Sequence, residues 1–225
     1  MNSVITIDGP SGAGKSTVSR RLANVLEFRY IDSGALYRIA ALEVMDRHIE
    51  EPSDEILAEI CRNLDVVFSN GKEQNRIFSH NKDVTEMIRS PEISMLASQL
   101  SARPVTRECL TSLQRGMADN MNIVLEGRDA GTVVFPDALV KFFLDASPEE
   151  RGKRRFKELS LKGSSVSLEQ VTQEIIKRDQ NDTSRQFAPL RPAADALIID
   201  STTMSIDEVV DRMIQEIKLK KIEGV

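Results

Sequence analysis

Tryptophan is absent from the 225 residues, aromatic side chains make up only 4%, and there are two cysteines and two histidines. A core without large rings must be packed from aliphatic side chains. Cys61 and Cys109 are the only cysteines; both fall on apolar positions of predicted helices and are expected to be buried, reduced thiols rather than a disulfide. His48 and His80 have no catalytic context and read as surface residues. No apolar run reaches membrane length and no secretory signal is visible, so a soluble cytoplasmic protein without a membrane partner is expected. An excess of positive charge is also missing. The formal net charge of −5 argues against a nucleic-acid binder, which would be basic. Repeats, low-complexity tracts and long linkers are lacking as well, and the Lys218–Lys221 run reads as a solvated helix tail. The chain is therefore read as one α/β domain over 1–225, with a small insertion.

What is present begins at the ninth residue. Gly9-Pro10-Ser11-Gly12-Ala13-Gly14-Lys15-Ser16, followed by Thr17, satisfies G-x-x-x-x-G-K-[ST] at every fixed position. Val4-Ile5-Thr6-Ile7 before it reads as a buried strand. Val18, Leu22, Val25 and Leu26 after it recur at helical spacing. A glycine-rich loop between a strand and a helix start can curl its N–H groups around an anion, with the helix dipole adding positive potential. Lys15 is placed to reach β- and γ-phosphates, and the Ser16 hydroxyl to hold Mg²⁺. The loop predicts a nucleoside triphosphate site.

Alternating strands and helices predict a parallel sheet covered on both faces. The expected strands are Ser3–Ile7, Phe28–Ile31, Asn122–Glu126, Leu139–Leu144 and Ala196–Ile199. Capping boxes are expected at Ser147–Glu150, Ser167–Gln170 and Ser205–Glu208, and a Ser90-Pro91 helix start. Residues 64–90 break the alternation. Leu64–Phe68 and Arg76–Phe78 read as two antiparallel strands around an Asn70-Gly71 turn.

A phosphate loop alone does not separate a switch GTPase, a motor ATPase and a small-molecule kinase. Asn81-Lys82-Asp83 falls one residue short of a guanine-reading motif, and the chain is too short for a large motor. Arginines decide instead. Ile31-Asp32-Ser33-Gly34 and Gly127-Arg128-Asp129-Ala130-Gly131-Thr132 close the second and third strands, with Tyr37-Arg38 on the helix after the second. Ligands of open parallel sheets gather beyond the carboxyl ends of the strands, so these segments should meet beside the phosphate loop. Arg151, Arg154 and Arg155 are spaced to share one helix face, and Arg178, Asp182 and Arg185 form a second polar stripe.

Through these motifs the chain resembles the bacterial cytidylate kinases. The likeness runs from Ile7–Ser16 through Asp32–Arg38, Glu126–Asp137, Phe143–Arg151 and Pro192–Ala196 to Asp200-Ser201-Thr202. It implies a five-stranded parallel core, an insertion in the monophosphate-binding region at about 64–90, and a mobile lid over about 147–185. It further implies that Ser33, Arg107, Asp129 and Arg185 read cytosine, with Tyr37 among the substrate-binding residues. Arg38 and Arg128 would hold the acceptor phosphate, and Ser98, Arg178 and Asp182 would contact the sugar. Arg151, Arg154 and Arg155 would close over the transferring phosphoryl group. Ala130 stands where relatives carry larger apolar residues, a packing variation. The expected reaction is ATP + (d)CMP ⇌ ADP + (d)CDP with Mg²⁺, carried out by a monomer. Another small-molecule kinase, acting on a different monophosphate, shikimate or dephospho-coenzyme A, shares this logic. A switch-type P-loop protein leaves the arginines unexplained.

Overall fold

The computed structural model describes residues 2–70, 75–161, 163 and 165–223. Five parallel strands form the main sheet: β1 (Val4–Asp8), β2 (Arg29–Asp32), β6 (Ile123–Gly127), β7 (Val140–Asp145) and β8 (Leu197–Asp200), in the spatial order β2-β6-β1-β7-β8. The helices are α1 (Lys15–Leu26), α2 (Ser33–Asp46), α3 (Asp54–Arg62), α4 (Pro91–Leu100), α5 (Pro104–Gly116), α6 (Pro148–Leu161), α7 (Leu168–Thr183) and α8 (Ile206–Glu223). Alternation along β6 shows why both faces must be covered. Ile123 and Leu125 enter one core with Leu36, Ile39, Leu57 and Leu110, whereas Val124 enters the other with Ile7, Leu22, Phe142 and Met213.

Every strand of this sheet ends one residue later than its apolar run suggests. The added residues are Asp8, Asp32, Gly127, Asp145 and Asp200. Pairing continues through them, with Asp8 opposite Gly127, Asp32 opposite Glu126 and Asp145 opposite Asp200. Hydrogen bonding between backbones is indifferent to side-chain polarity, so the ladder runs on into the polar residues that border the site.

A separate antiparallel sheet is formed by β3 (Val66–Asn70), β4 (Asn75–Ser79) and β5 (Lys82–Asp83). The expected Asn70-Gly71 turn falls partly on residues outside those described. β5 was not expected. It is only two residues long, and it pairs because His80 and Asn81 both adopt positive φ (47° and 64°), making a two-residue hairpin turn. His80 and His48 are exposed, as are Lys218 and Lys220 near the end of α8.

The helix starts largely follow the capping chemistry. Ser167 and Gln170 form a reciprocal box, as do Ser205 and Glu208. Ser90 accepts from Ile93 N–H, with Pro91 in the first turn. At α6 only half the expected box forms. Ser147 Oγ accepts from Glu150 N–H at 3.2 Å, but Ser147 N–H donates to Thr202 Oγ1 at 2.9 Å. Glu150 is turned instead toward Arg154, 3.3 Å away. Cys61 is buried and Cys109 only half-buried; both are free thiols, and burial pushes Cys61 up to about 12. Among the described residues no helix is long and apolar enough to cross a membrane.

Candidate active site

The loops and helix starts that follow the carboxyl ends of the parallel strands gather at one edge of the sheet. At its centre, the loop from Gly9 to Gly14 joins β1 to α1. Gly9 has φ 147°, and a Cβ there would lie 2.0 Å from the Leu144 carbonyl oxygen of β7, so only glycine fits. Gly14 caps α1 in the left-handed region with no side chain over the helix start. Lys15 is buried, and its Nζ donates to Pro10 O at 2.7 Å, bent back along the loop. Burial, with the Arg128 charge next, pushes the Lys15 ammonium down to about 7.

Beside the loop, Glu126 at the end of β6 accepts from Ser16 Oγ (2.7 Å) and Tyr30 Oη (2.6 Å) through Oε1. Its Oε2 is buried without a hydrogen-bond partner. Burial, then the Asp32 carboxylate, raises Glu126 above the usual carboxylate range. No group of three or more His, Cys, Asp or Glu side chains able to hold a metal occurs among the described residues. A hydroxyl and a carboxylate oxygen in need of a partner are, however, hard oxygen donors that suit a divalent cation completed by phosphate oxygens and water.

On the other side of the cleft, ion pairs hold the arginines in place. Asp32 caps α2 by accepting from Ala35 N–H and takes Arg38 at 2.7 Å. Arg107 pairs with Asp129 at 2.6 Å, with both side chains buried. The Arg107 guanidinium also stacks 5.7 Å from the Tyr37 ring centre. Arg107 Nη1 donates to Ser101 O (3.0 Å), and Ser101 Oγ donates to Ser98 O (2.8 Å). Ser98 itself, half-buried on α4, joins the cluster only through that backbone relay. Asp182 is almost fully buried between Arg128, at 2.8 Å, and Arg185. These two cations hold its carboxyl below the usual range despite burial. Arg178 lies within the fields of Arg128, Asp182 and Arg38. Enclosure by the cleft, then Arg128, lowers its guanidinium, although its side chain remains open to water. Ser33 is buried at the start of α2, its Oγ 2.9 Å from where a Gly127 Cβ would stand.

The three arginines of α6 do not act as one group here. Arg151 is buried and donates to Ala146 O, to Ser11 O at 2.9 Å and to the Asp179 carboxylate on α7. Asp179 in turn accepts from Ser11 N–H at 3.3 Å. An arginine–aspartate pair from the α6–α7 hairpin thus grips both backbone polar groups of Ser11, on the two peptide units that flank it in the phosphate loop. Arg154 forks onto Ser201, through O at 2.7 Å and Oγ at 3.2 Å. Ser201 also reaches Asp145 O and Ala13 O. Arg155 faces solvent and pairs with Glu158. One helical turn separates a side chain inside the hairpin from one beyond its edge, which spacing along the sequence cannot reveal.

Asp8, Glu126, Tyr30, Asp179 and Ser201 belong to this constellation without having been singled out as site residues. Asp8 and Glu126 carried a signal, since each is an acidic residue closing an apolar strand. Asp179 carried none, because its partners lie 28 and 168 residues away.

A parallel sheet of this order, a phosphate loop after its first strand and a cationic cluster at the same edge define a P-loop kinase. The family model for cytidylate kinase matches residues 5–219, and the chain belongs to that family. It is 50% identical over 210 residues to the cytidylate kinase of Geobacter sulfurreducens, covering 93% of this chain and 90% of that protein. To the cytidylate kinase of Vibrio cholerae it is 46% identical over 219 residues, 97% of each chain. The crystal structure of shikimate kinase from Bacteroides thetaiotaomicron superposes with a TM-score of 0.50 at 15% identity, covering 96% of this chain and 98% of that one; this shows the fold alone.

Proposed function

We propose that the chain transfers the γ-phosphoryl group of ATP to CMP or dCMP, giving ADP and CDP or dCDP. The observation that carries the proposal is the two-sided cleft. A buried phosphate-loop lysine stands on one side, and on the other five arginines (Arg38, Arg107, Arg128, Arg178 and Arg185) gather around three carboxylates. Two anionic substrates must be held together, and guanidinium groups in fixed positions offset their repulsion.

In this reading a phosphate oxygen of the acceptor, already anionic near neutral pH, attacks the γ-phosphorus while the bond to the β–γ bridging oxygen breaks and ADP leaves. No side chain has to remove a proton. Lys15, its protonated form favoured again by the triphosphate, stabilises the charge spread over the transferring group. Ser16 and Glu126 would hold Mg²⁺, and the ion would supply positive charge that offsets the triphosphate's negative charge. Arg38 and Arg128 hold the acceptor phosphate, Ser33, Arg107, Asp129 and Arg185 the base, with Tyr37 stacked behind, and Ser98, Arg178 and Asp182 the sugar. The α6–α7 hairpin serves as the lid, bringing Arg151, Arg154 and Arg155 over the phosphates and excluding water. The sheet over 66–83 belongs to the monophosphate-binding region. The enzyme acts as a cytoplasmic monomer on small nucleotides, not on nucleic acid or membranes.

A coupled ADP assay across CMP, dCMP, UMP, AMP and shikimate tests the reading. CMP and dCMP should be the preferred acceptors. A preference for another acceptor would overturn it, and the oligomeric state is read independently by light scattering.

A further inference from the structure

The turn after β6 carries two residues of the acceptor side, Arg128 and Asp129, and its geometry is unusual. Ala130–Val134 forms a single π-helical turn, with Asp129 in front of it at φ −140°, ψ 20°. Such a turn leaves its first backbone N–H groups without partners inside the turn. Here they have one. Asp8, at the end of the neighbouring strand β1, accepts from Ala130 N–H through Oδ1 at 2.8 Å and from Gly131 N–H through Oδ2 at 2.7 Å. Asp8 is 4% exposed.

The surroundings leave the turn little freedom except through this contact. A Cβ on Gly131 would lie 2.8 Å from Thr6 Oγ1 and 3.2 Å from the Lys141 side chain, so the turn lies directly against β1 and β7. A Cβ on Gly127 would meet Ser33 Oγ at 2.9 Å and Asp8 Oδ1 at 3.3 Å. The carboxylate therefore sits in the angle between the strand end and the turn, with one oxygen for each successive N–H. Only a short side chain with two equivalent acceptors fills that role: asparagine turns a donor toward one N–H, and glutamate is too long.

We propose that Asp8 is a positioning residue for Arg128 and Asp129, its two oxygens holding the Ala130–Gly131 backbone so that both side chains are aimed into the cleft. The proposal rests on the function given above for its kinetic consequences, but not for its structural one. Asp8 touches no substrate; it acts through the backbone it holds. The bonds to Ala130 and Gly131 need the ionised carboxylate, whereas burial, outweighing those bonds and helped by the Asp129 charge, raises Asp8 to about 6. The Lys15 ammonium faces it from the phosphate loop and opposes that rise. Its cross-strand partners, Gly127 on β6 and Phe143 on β7, do not titrate. The clamp therefore weakens as pH falls through about 6.

The test uses Asp8→Asn in the full chain, with Gly131→Ala as a second variant that lifts the turn while leaving Asp8 intact. Amide exchange at Ala130 and Gly131 is measured in the free protein from pH 5 to 8. In the parent, protection should rise through about pH 6, and in Asp8→Asn it should be low and flat. The free protein is used because the phosphate of CMP titrates at about 6 itself. Kinetically, Asp8→Asn should lose at least about tenfold in kcat/KM for CMP, since small misplacements of reacting partners are costly. The loss for UMP should be smaller, and ATP binding should change less than the CMP term. Gly131→Ala should repeat that pattern, and it carries the test if Asp8→Asn does not fold. Equal losses for CMP and UMP with weakened ATP binding, or unchanged Gly131 protection, would overturn the proposal. A parent that does not phosphorylate CMP would sink the functional reading instead, and the exchange measurement would still decide the role of Asp8.

Discussion

At the scale of single residues, the site is a set of charges that folding alone disfavours. Lys15 sits buried with its ammonium depressed, and Glu126 sits buried with its carboxyl raised and one oxygen unpartnered. Such groups wait for a ligand that supplies the missing charge. Lys15→Ala should therefore abolish most phosphoryl transfer while leaving circular dichroism and melting close to the parent. A rate within a few-fold of the parent would remove Lys15 from the mechanism. Asp129 is a subtler case, because its Oδ2 is engaged by Arg107. Cytosine differs from uracil in presenting an amino donor where uracil presents a carbonyl, and a carboxylate can accept only from the first. Asp129→Ala should cost far more kcat/KM with CMP than with UMP, narrowing their ratio by at least roughly tenfold, about 1.4 kcal/mol. Parallel losses would mean that the Arg107 pair is its whole role.

At the scale of elements, α6 and α7 pack as a hairpin whose inner face reaches the phosphate loop. The Arg151–Asp179 pair is well shielded, its side chains 5% and 17% exposed, and it holds Ser11 through both its N–H and its C=O. Removing one partner strands the other charge. Asp179→Ala should lower stability by about 3 kcal/mol or more, seen as a fall in the urea midpoint, and should weaken ATP binding as the loop loosens. A stability loss with ATP affinity unchanged would separate the pair from the loop. Arg154 and Arg155 differ from Arg151, because Arg155 meets Glu158 at the surface, and Arg154, itself partly exposed, holds a single buried residue, Ser201, without touching the loop residue that Arg151 grips. Arg154→Ala and Arg155→Ala should each lower kcat more than they raise KM for CMP, by up to about 10³-fold for an arginine that meets the transition state. Changes confined to KM would place them outside the closing lid.

At the scale of the whole molecule, stability and function pull apart at β1. The folded-state pKa of Asp8 is raised from 3.8 to about 6. Its contribution to stability is therefore present below about pH 3.8 and lost as pH rises through about 6, because the fold prefers the neutral acid while the unfolded chain has already ionised. The difference is worth up to about 3 kcal/mol. Urea unfolding of the parent and of Asp8→Asn at pH 4 and pH 7 should show the variant gaining on the parent as pH rises. A constant gap between the two curves would mean that Asp8 ionises in the fold as it does unfolded. At neutral pH this carboxylate is charged, and the two N–H groups it holds give that charge its use.

Much of this was legible in the residues themselves. The phosphate loop, the parallel sheet and most of the caps depend on local pattern: glycine where φ is positive, short continuous apolar runs, a hydroxyl three residues before a free N–H. The arginine stripes and the motifs at the strand ends pointed to an anionic acceptor beside the loop, and the motifs carried the resemblance to the family. What only the tertiary structure decided is which charges meet. Asp179 finds Ser11 and Arg151, Asp182 lies between Arg128 and Arg185, Asp8 turns to the backbone of Ala130 and Gly131, and Arg155 points away from the group its spacing suggested. Each of these depends on how strands distant in sequence are ordered in the sheet and how a hairpin folds back over it. Contact energies of that kind arise from three-dimensional proximity and dielectric shielding, neither of which is written in the spacing of residues along a chain.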